Sequence, residues 1–504
     1  MRVTLVNSQV LDGNNVFPPL GLMYVAAVLE KAGHIAQLYD ADPKYHNAIV
    51  EEIKTFKPDL IGLSFLTVGY QRALNLMRKL KEELPDVTYC AGGVHPTVKP
   101  IETMNEFGLD FIVIGEGEET IVEVCEKLEE NQNLAGVRGV MYREDGRIID
   151  NGRRDLVRDL DTIPFPARHL IDMRPYLEHA GIIRGYATTN QTTIMTSRGC
   201  PFRCIYCGSH NIFGRKTRRR SVKNVVDEIQ LLHERYNIKG LYFCDDTFTL
   251  NPQWVREYCE ELKRRGLKIA WACQSRVDQT DKELMRLMRD SGLVQLDFGV
   301  ESGSEKILKI LGKGGRGDRT EVTKNSFELC RKLGIRTLAT FVIGNPEETK
   351  EDIEQTFNVA KEIKADYTAF YFLTPYPGTS IYDMAIKNGW LDSDLPFSEI
   401  WTIRQCELPL MKITFDKEEL RDIRRRLQNY FFVRNYFGHL GNIRFYCTVF
   451  SIIVRHPKII FEALKKLIRT RRMDHVVETF NAEYWRTKKY KRRRSGQRLN
   501  GEHP

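Results

Sequence analysis

Short apolar segments alternate with amphipathic helical segments along most of this 504-residue chain, first before about residue 150 and again between about 190 and 400. Strands that alternate with helices build βαβ units, and the parallel sheets of such units are covered on both faces. The pattern therefore predicts an α/β protein with two successive parallel-sheet domains. Ligands of such domains bind at the carboxyl ends of the strands.

The first repeat contains four candidates for buried strands. They lie at residues 3–7, 59–65, 87–91 and 111–114. Helices are predicted at 21–32, ending at Gly33, and at 70–83. Loops rich in Gly, Ser, Thr or Pro lie at 7–20, 64–69, 92–97 and 115–120. The repeat favours an open, Rossmann-like sheet whose ligand loops share one edge.

The second repeat contains six strand candidates in about two hundred residues. They lie at 192–196, 240–243, 268–273, 294–299, 336–343 and 369–373. Six consecutive βα units suit a full or partial barrel, here a partial (β/α)6 barrel, better than a second open sheet. Reactive side chains of a barrel sit at the carboxyl ends of its strands.

These patterns divide the chain into five parts. We predict a Rossmann-like domain at 1–140, a linker with a hairpin and prolines at 141–188, a barrel at 189–405, a basic helical domain at 406–485 and a disordered basic tail at 486–504. The helical part either packs as an ordinary domain or lies on a membrane surface.

Three of the eleven cysteines fall within eight residues, as Cys200, Cys204 and Cys207. Their C-x3-C-x2-C spacing directly follows a predicted strand, and thiolates are the usual ligands of iron–sulfur clusters. Three ligands to a four-iron cluster leave one iron with an open coordination position, as reactive metal sites require. The alternatives are chance or a zinc site, for which His210 offers a fourth ligand.

The sequence Cys-x3-Cys-Ile-Tyr206-Cys resembles the signature of the radical S-adenosylmethionine (SAM) enzymes. The resemblance implies a [4Fe–4S] cluster on the three cysteines, whose open iron binds SAM, with Tyr206 beside it. Later strand ends match the family's SAM-contact motifs in order, which implies contacts from Asp245, Asp246, Gln274, Arg276, Glu301, Ser302 and Ile343. A turn at 375–379 completes the set. The simpler alternatives are that the paired acids cap a helix and that Gly344-Asn345-Pro346 is only a turn.

The first region resembles the cobalamin-binding domain that precedes the radical domain in class B radical SAM enzymes. The residues that carry the resemblance, and the implied cobalamin contacts, are Pro19, Leu20, Gly21, Ser64, Gly92, Gly93, His95, Gly115 and Glu116. The D-x-H-x-x-G motif of cobalamin proteins with a histidine ligand is absent. The resemblance therefore implies base-off cobalamin without a histidine ligand, and we interpret His95 as structural. The alternative is a scaffold that no longer binds cobalamin.

The resemblance implies an enzyme that methylates unactivated carbon or phosphorus centres, of which we favour carbon. One SAM would methylate the corrin, and a second would yield the 5′-deoxyadenosyl radical. A cobalamin-dependent cyclase or ring-rearranging enzyme is the alternative within this family. Outside it, the alternative is a metal-containing nucleic-acid-binding protein. The first region lacks the extra cysteine cluster of a methylthiotransferase.

The net charge of +9 is concentrated at residues 215–220 and from Arg469 onward. Such runs are solvated faces or tails, or they bind nucleic acid or anionic membranes. The basic, aromatic C-terminal helices favour a small or lipid-like substrate and peripheral membrane contact, and nucleic acid is not an expected partner. An external flavodoxin or ferredoxin would supply electrons. Without a signal peptide or an apolar segment longer than 445–454, the chain is expected to be cytoplasmic, at most peripheral to the inner face of the membrane.

Overall fold

The computed structural model describes residues 1–8, 17–41, 45–177, 183, 190–314, 319–391, 408–437 and 465, with the backbone alone at 432–437. The strands are β1 Arg2–Asn7, β2 Ile35–Asp40, β3 Leu60–Ser64, β4 Thr88–Gly92, β5 Phe111–Val113, β6 Val140–Glu144, β7 Arg147–Asp150, β8 Gln191–Ile194, β9 Ser197–Arg198, β10 Arg218–Arg219, β11 Gly240–Phe243, β12 Ala270–Ser275, β13 Leu293–Glu301, β14 Arg336–Ile343 and β15 Tyr367–Phe372. The helices are α1 Leu20–Lys31, α2 His46–Phe56, α3 Tyr70–Glu83, α4 Val94–Val98, α5 Pro100–Phe107, α6 Glu118–Glu129, α7 Arg174–Leu177, α8 His210–Phe213, α9 Val222–Tyr236, α10 Pro252–Arg264, α11 Lys282–Asp290, α12 Glu305–Ile310, α13 Arg319–Leu333, α14 Lys350–Ile363, α15 Ser380–Lys387 and α16 Lys417–Phe437.

The first sheet has the order β2-β1-β3-β4-β5-β6-β7. Its first five strands are parallel, and the hairpin of β6 and β7 continues it in antiparallel fashion. The direction of winding reverses between β1 and β3, which is where doubly wound sheets bind their ligands. All four predicted strands are present. The hairpin extends the sheet beyond the predicted domain end at 140.

The second sheet has the order β8-β11-β12-β13-β14-β15, and all its neighbours are parallel. The six predicted strands are thus confirmed. Because the spatial order is the chain order and crossovers are right-handed, successive helices lie on the same face of the sheet. There Phe243, Phe248, Tyr258 and Trp271 form the buried aromatic centre of the core.

The two sheets share one buried core. A single cluster of apolar side chains runs from α1, through Val157, Leu160 and Ile163 of the linker, to the strands and helices of the second sheet. The contact between the domains is therefore apolar as well as ionic, and it fixes the two sheets relative to each other.

Helix α16 covers the edge strand β15. The Gln428 side chain accepts a hydrogen bond from the Phe370 backbone N–H at 3.1 Å, and its amide donates to the Thr368 carbonyl at 3.3 Å. Arg424 Nε donates to the Phe370 carbonyl at 2.7 Å. An uncovered edge would expose these groups to pairing with another chain. Backbone hydrogen-bonding groups of the edge strand are thus paired with side chains of α16.

The part of the predicted helical domain from 438 to 464, the basic run from Arg469 and the tail at 486–504 lie outside the described residues. Within the described ranges, no helix has both the length and the apolar character needed to cross a membrane.

Replacing Gln428 with Leu should destabilise the second domain by about 1–3 kcal/mol, because the backbone groups of β15 lose their partners in a buried setting. Anaerobic chemical denaturation followed by tryptophan fluorescence would measure the change. Asn429→Leu, at the exposed neighbouring position, is the matched control. Equal effects of the two substitutions would show that the edge contacts carry no specific stability.

Candidate cofactor sites

The loop that carries the three cysteines begins with a turn that only glycine can make. Gly199 has φ +87°, and a Cβ there would lie 2.5 Å from the Lys216 carbonyl oxygen and 2.8 Å from that of Phe213. The Thr217 hydroxyl donates to the Gly199 carbonyl at 3.1 Å. The loop therefore leaves β9 tightly packed against the segment that returns as β10.

Two other turns hold the loop at its centre. The Ile205 N–H donates to the Leu311 carbonyl at 3.1 Å, and the Ile205 carbonyl accepts from Ile381 N–H at 3.0 Å. Asn211 Nδ2 donates to the Gly378 carbonyl at 2.7 Å, in the predicted turn after β15. The cysteine loop is thus bound to the turn after α12 and to the turn before α15.

Cys200, Cys204 and Cys207 all lie partly exposed on this loop. Burial raises the pKa of the Cys207 thiol to about 11 and also raises that of Cys200. At neutral pH these two side chains are therefore thiols, and binding of a metal cation would stabilise their thiolate forms. Within the described ranges, no three His, Cys, Asp or Glu side chains converge on a point where one metal ion would sit. The His210 ring, the candidate fourth ligand of a zinc site, has its Nδ1 3.2 Å from the Cys207 carbonyl oxygen.

Tyr206, inside the cysteine motif, is bonded to the end of β13. Its hydroxyl donates to Glu301 Oε1 at 2.9 Å, and Lys313 Nζ donates to the same oxygen and to the Gly299 carbonyl, each at 2.5 Å. Glu301 has φ +68°, a conformation rare for residues other than glycine and often found at functional sites. Lys313 is only 7% exposed. Sequence reasoning missed it because a lysine between two glycines carries no motif.

The predicted acidic pair has two different environments. Asp245 is 1% exposed and accepts from Thr196 N–H at 2.7 Å, from the Ser197 hydroxyl at 2.6 Å and from the Thr196 hydroxyl. Asp246 is exposed and accepts from the Ser209 hydroxyl of the cysteine loop at 2.5 Å. Asp245 therefore holds the corner between β8 and β9, while Asp246 faces the cofactor side.

Gln274, near the end of β12, and Arg276, directly after it, also differ. Gln274 is exposed and is hydrogen-bonded to Tyr242. The buried Arg276 guanidinium binds both Asp278 oxygens at 3.0 and 2.9 Å and lies 3.8 Å from the centre of the Phe202 ring. Arg276 thus braces the cysteine loop through a cation–π contact.

Ser302 and Ile343 are both inside the protein. The Ser302 hydroxyl contacts that of Thr356 at 2.9 Å and accepts from Ser304 N–H at 3.1 Å. The Ile343 side chain belongs to the apolar core, and its carbonyl accepts from Leu373 N–H at 2.9 Å. A cofactor contact from Ile343 would therefore involve its main chain.

The predicted cobalamin residues gather at the carboxyl edge of the first sheet. Pro19, Leu20 and Gly21 start α1, Ser64 ends β3, Gly92 and Gly93 end β4, and Gly115 and Glu116 follow β5. At Gly21 and Gly115, chain neighbours and the helix's own backbone aside, no atom of the described residues lies within 4 Å of the position a Cβ would take. Gly93 has φ +88°, and its Cβ would lie 2.6 Å from Ser64 Oγ. The edge beside the winding reversal is thus an open, glycine-lined cradle.

His95 is enclosed by protein and only 1% exposed. Its Nδ1 lies 3.1 Å from the Thr67 hydroxyl, and its ring stacks on Phe65 and meets the Tyr70 ring edge-on. Burial lowers the pKa of His95 to about 3, so the ring is neutral at pH 7. This environment is that of a structural histidine.

Glu116 is bound to the second domain. Both its oxygens accept from Arg218, at 2.8 and 2.9 Å, and one also accepts from Arg198 at 3.0 Å. The Val157 N–H donates to the carboxylate as well, at 3.0 Å. The carboxylate of Glu116 is thus hydrogen-bonded to Arg198, Arg218 and Val157. The cobalamin contact expected of Glu116 stays a prediction.

The three consecutive arginines of the basic run at 215–220 do not form an exposed charged surface. Arg218 binds Glu116, Arg219 lies 3.7 Å from Asp245, and Arg220 binds Glu228 at 2.5 Å. All three guanidinium groups are buried. The expectation of a solvated, nucleic-acid or membrane face is therefore wrong for these three arginines, because each neutralises a buried carboxylate.

Comparison with known proteins agrees with this division into two sites. The B12 binding domain model matches residues 10–125, and the Radical SAM superfamily model matches residues 194–360. The chain is 34% identical over 421 residues to the uncharacterized methyltransferase PH0819 of Pyrococcus horikoshii, covering 83% of this chain and 88% of that protein. The chain belongs to the cobalamin-dependent radical SAM enzymes.

Two further relatives widen the comparison. The anaerobic magnesium-protoporphyrin IX monomethyl ester cyclase of Cereibacter sphaeroides is 30% identical over 400 residues, covering 76% of this chain and 63% of that protein. The radical SAM methyltransferase TsrM of Kitasatospora setae, solved with cobalamin and a [4Fe–4S] cluster, superposes with a TM-score of 0.66 at 20% identity, covering 79% of this chain and 81% of that one. The radical SAM enzyme therefore shares its fold with TsrM.

The cofactors of this radical SAM enzyme are a [4Fe–4S] cluster, SAM and cobalamin. The residues present fit them. Three partly exposed thiols on a firmly anchored loop suit a cluster with one open iron. The open space at Gly21 and Gly115 suits a bulky corrin.

The neutral state of His95 makes the first domain sensitive to acid. Below about pH 6.5 His95 is protonated in the unfolded chain, whereas in the folded protein it stays neutral down to about pH 3. The free energy of unfolding therefore falls as the pH falls. We expect a loss of about 1.4 kcal/mol per pH unit below about pH 6, which His95→Phe removes. Denaturation at several pH values measures it. His169→Gln, at an exposed histidine, should keep the wild-type slope, and an unchanged slope in His95→Phe would contradict the assignment.

Replacing Lys313 with Met leaves Glu301 buried without its cation. The loss of one partner of a buried pair should cost about 3–5 kcal/mol and weaken SAM binding. Denaturation and equilibrium dialysis of the anaerobically reconstituted protein measure the two effects. Lys309→Met, at an exposed lysine one turn earlier, should change stability by less than about 0.5 kcal/mol. If both variants bind SAM as the wild type does, Lys313 does not support the SAM site.

Proposed function

We propose that this radical SAM enzyme transfers a methyl group to an unactivated carbon centre. One observation carries the proposal: the proposed cobalamin edge of the first sheet is in direct contact with the second domain beside its cysteine loop. Glu116, next to Gly115 in the cradle, binds Arg198, two residues before Cys200. Phe17, before α1, meets the Tyr242 ring of β11 with 6.0 Å between centroids. These contacts support the proposal because methyl transfer requires the cobalamin and the cluster to lie close together.

When bound, the cluster with SAM supplies a 5′-deoxyadenosyl radical, and cobalamin supplies the methyl group. The task of the protein is to hold these groups and the substrate in line and to exclude water. Cys200, Cys204 and Cys207 hold the cluster. Of the predicted SAM contacts, the exposed Asp246 and Gln274 are the side chains best placed to meet SAM, and the buried Glu301 at the end of β13 is held by Tyr206 and Lys313. The remaining predicted SAM contacts are Tyr206, Asp245, Arg276, Ser302 and Ile343, of which Tyr206, Asp245 and Arg276 hold the cysteine loop and the segment that leads into it.

The cobalamin site would consist of Pro19, Leu20, Gly21, Ser64, Gly92, Gly93, Gly115 and Glu116. With His95 enclosed, the corrin would bind base-off without a histidine ligand. The same proposal includes the five predicted parts of the chain. It also includes the closure of the second sheet into a partial barrel, which the sequential order of its strands supports.

Partners follow from the chemistry. Reductive cleavage of SAM requires an external donor such as flavodoxin or ferredoxin. A small or lipid-like substrate, met at the inner face of the membrane, would suit α16, which exposes Arg421, Arg426 and 58% of Tyr430. The second candidate function is ring formation without methyl transfer, which the identity to the magnesium-protoporphyrin cyclase favours.

The two candidate functions leave different products. Protein reconstituted without oxygen with iron, sulfide and hydroxocobalamin should contain about four irons and one corrin. With SAM and a strong reductant, a methyltransferase should release S-adenosylhomocysteine, about one per corrin, together with 5′-deoxyadenosine. A cyclase should release 5′-deoxyadenosine alone. Chromatography of the products distinguishes them.

The control is Cys204→Ala, which should lose the cluster and 5′-deoxyadenosine formation but keep the corrin. Reductive SAM cleavage by that variant would refute the ligand assignment. Zinc in place of iron would refute the proposed function.

A further inference from the structure

We infer that four buried side chains, Glu116, Glu118, Arg198 and Arg218, form a clamp that sets the distance between the cobalamin edge and the cysteine loop. They act as positioning residues for the transfer between the two cofactors. The inference rests on the proposed function and adds to it the element that aligns the two domains.

The clamp joins the two places where alignment matters. Arg198 donates through its two terminal nitrogens to two carboxylates, Glu116 at 3.0 Å and Glu118. Arg218, opposite Arg198 in the β9–β10 pair, adds a second, bidentate contact to Glu116. The carboxylates lie at and just before the start of α6, directly after the cradle residue Gly115. The arginines lie on the two strands that flank the cysteine loop.

The four side chains of the clamp are buried and held in fixed positions. Its side chains are between 4 and 9% exposed, and its two positive and two negative charges balance. Burial alone would lower the pKa of Arg198, but Glu118 and Glu116 raise it above its usual value. The Tyr24 and Phe213 rings lie 5.3 and 5.6 Å from this guanidinium. A forked guanidinium held by two carboxylates fixes direction as well as distance, which a lysine cannot do.

The path from the clamp to the first cluster ligand is short and rigid. Only Gly199 separates Arg198 from Cys200, and its backbone is packed so closely against the Lys216 and Phe213 carbonyls that a Cβ would not fit there. A shift of the clamp therefore passes directly to the loop. Misplacement of reacting groups by about 1 Å costs about 100-fold in rate.

The test uses the full chain loaded with cluster and cobalamin. Arg198→Lys keeps the charge but loses the fork, and Glu118→Gln keeps the shape but loses the charge. Glu119→Gln is the matched control, because Glu119 is the next residue of α6, is 56% exposed and lies 3.9 Å from Arg154. The readouts are iron and corrin content, the rates of 5′-deoxyadenosine and S-adenosylhomocysteine formation from SAM, and amide hydrogen exchange.

We expect both clamp variants to keep about four irons and one corrin and to form 5′-deoxyadenosine within about twofold of the wild type. S-adenosylhomocysteine, whose formation needs SAM and corrin to meet across the interface, should form at least about tenfold more slowly. Amide exchange should quicken at 113–120 and at 198–208 together, while Glu119→Gln matches the wild type.

Wild-type product ratios and exchange in both clamp variants would overturn the inference. So would loss of both cofactors in both variants, which would show that the clamp acts only on stability. If the wild type forms no S-adenosylhomocysteine, the proposed function fails. The exchange measurement then decides the inference by itself: coupled loosening of the two segments supports a clamp, and independent behaviour refutes it.

Discussion

Three consecutive arginines, Arg218, Arg219 and Arg220, each neutralise a different buried carboxylate, and these pairs tie β10 to the elements around it. One carboxylate belongs to the first domain, one ends β11 and one lies in α9. A buried charge without its partner is costly, whereas a satisfied pair adds little net stability. The pairs therefore act chiefly by excluding other arrangements of the strand β10 and the domain beside it.

This constraint helps to fix two sheets of different topology relative to each other. The doubly wound first sheet opens where its winding reverses, and the second sheet carries its polar residues at its strand ends. Nothing in either topology makes those two edges face each other. The linker contributes, since Arg168 binds Glu228 at 2.6 Å and the Thr193 carbonyl at 3.0 Å. The apolar core supplies most of the free energy that holds the two domains together, and the ionic contacts fix their relative orientation.

The sequence predicts the elements of this fold better than their partners. The strands β11 and β14, which are mostly buried, match their predicted bounds. Strand β2 was missed because it lies at a sheet edge and buries only two of its six residues. The burial of Arg218 was not predictable, since its carboxylate lies 102 residues away and a local pattern contains no such pairing. For the same reason the sequence predicts Glu116 only as a cofactor contact, whereas Lys313 escapes prediction because a lysine between two glycines matches no motif.

The motifs of the candidate site consequently combine two kinds of residue that a sequence pattern cannot separate. Asp245 and Asp246 are adjacent in the chain, yet one is saturated by hydrogen bonds within the protein and the other is exposed. Gln274 and Arg276 divide in the same way. A side chain whose hydrogen-bonding capacity is already filled inside the protein can orient a cofactor only through its neighbours, and an exposed one can bind it directly. A reactive cluster needs both kinds, because a few direct contacts stay in place only when the loop behind them cannot move.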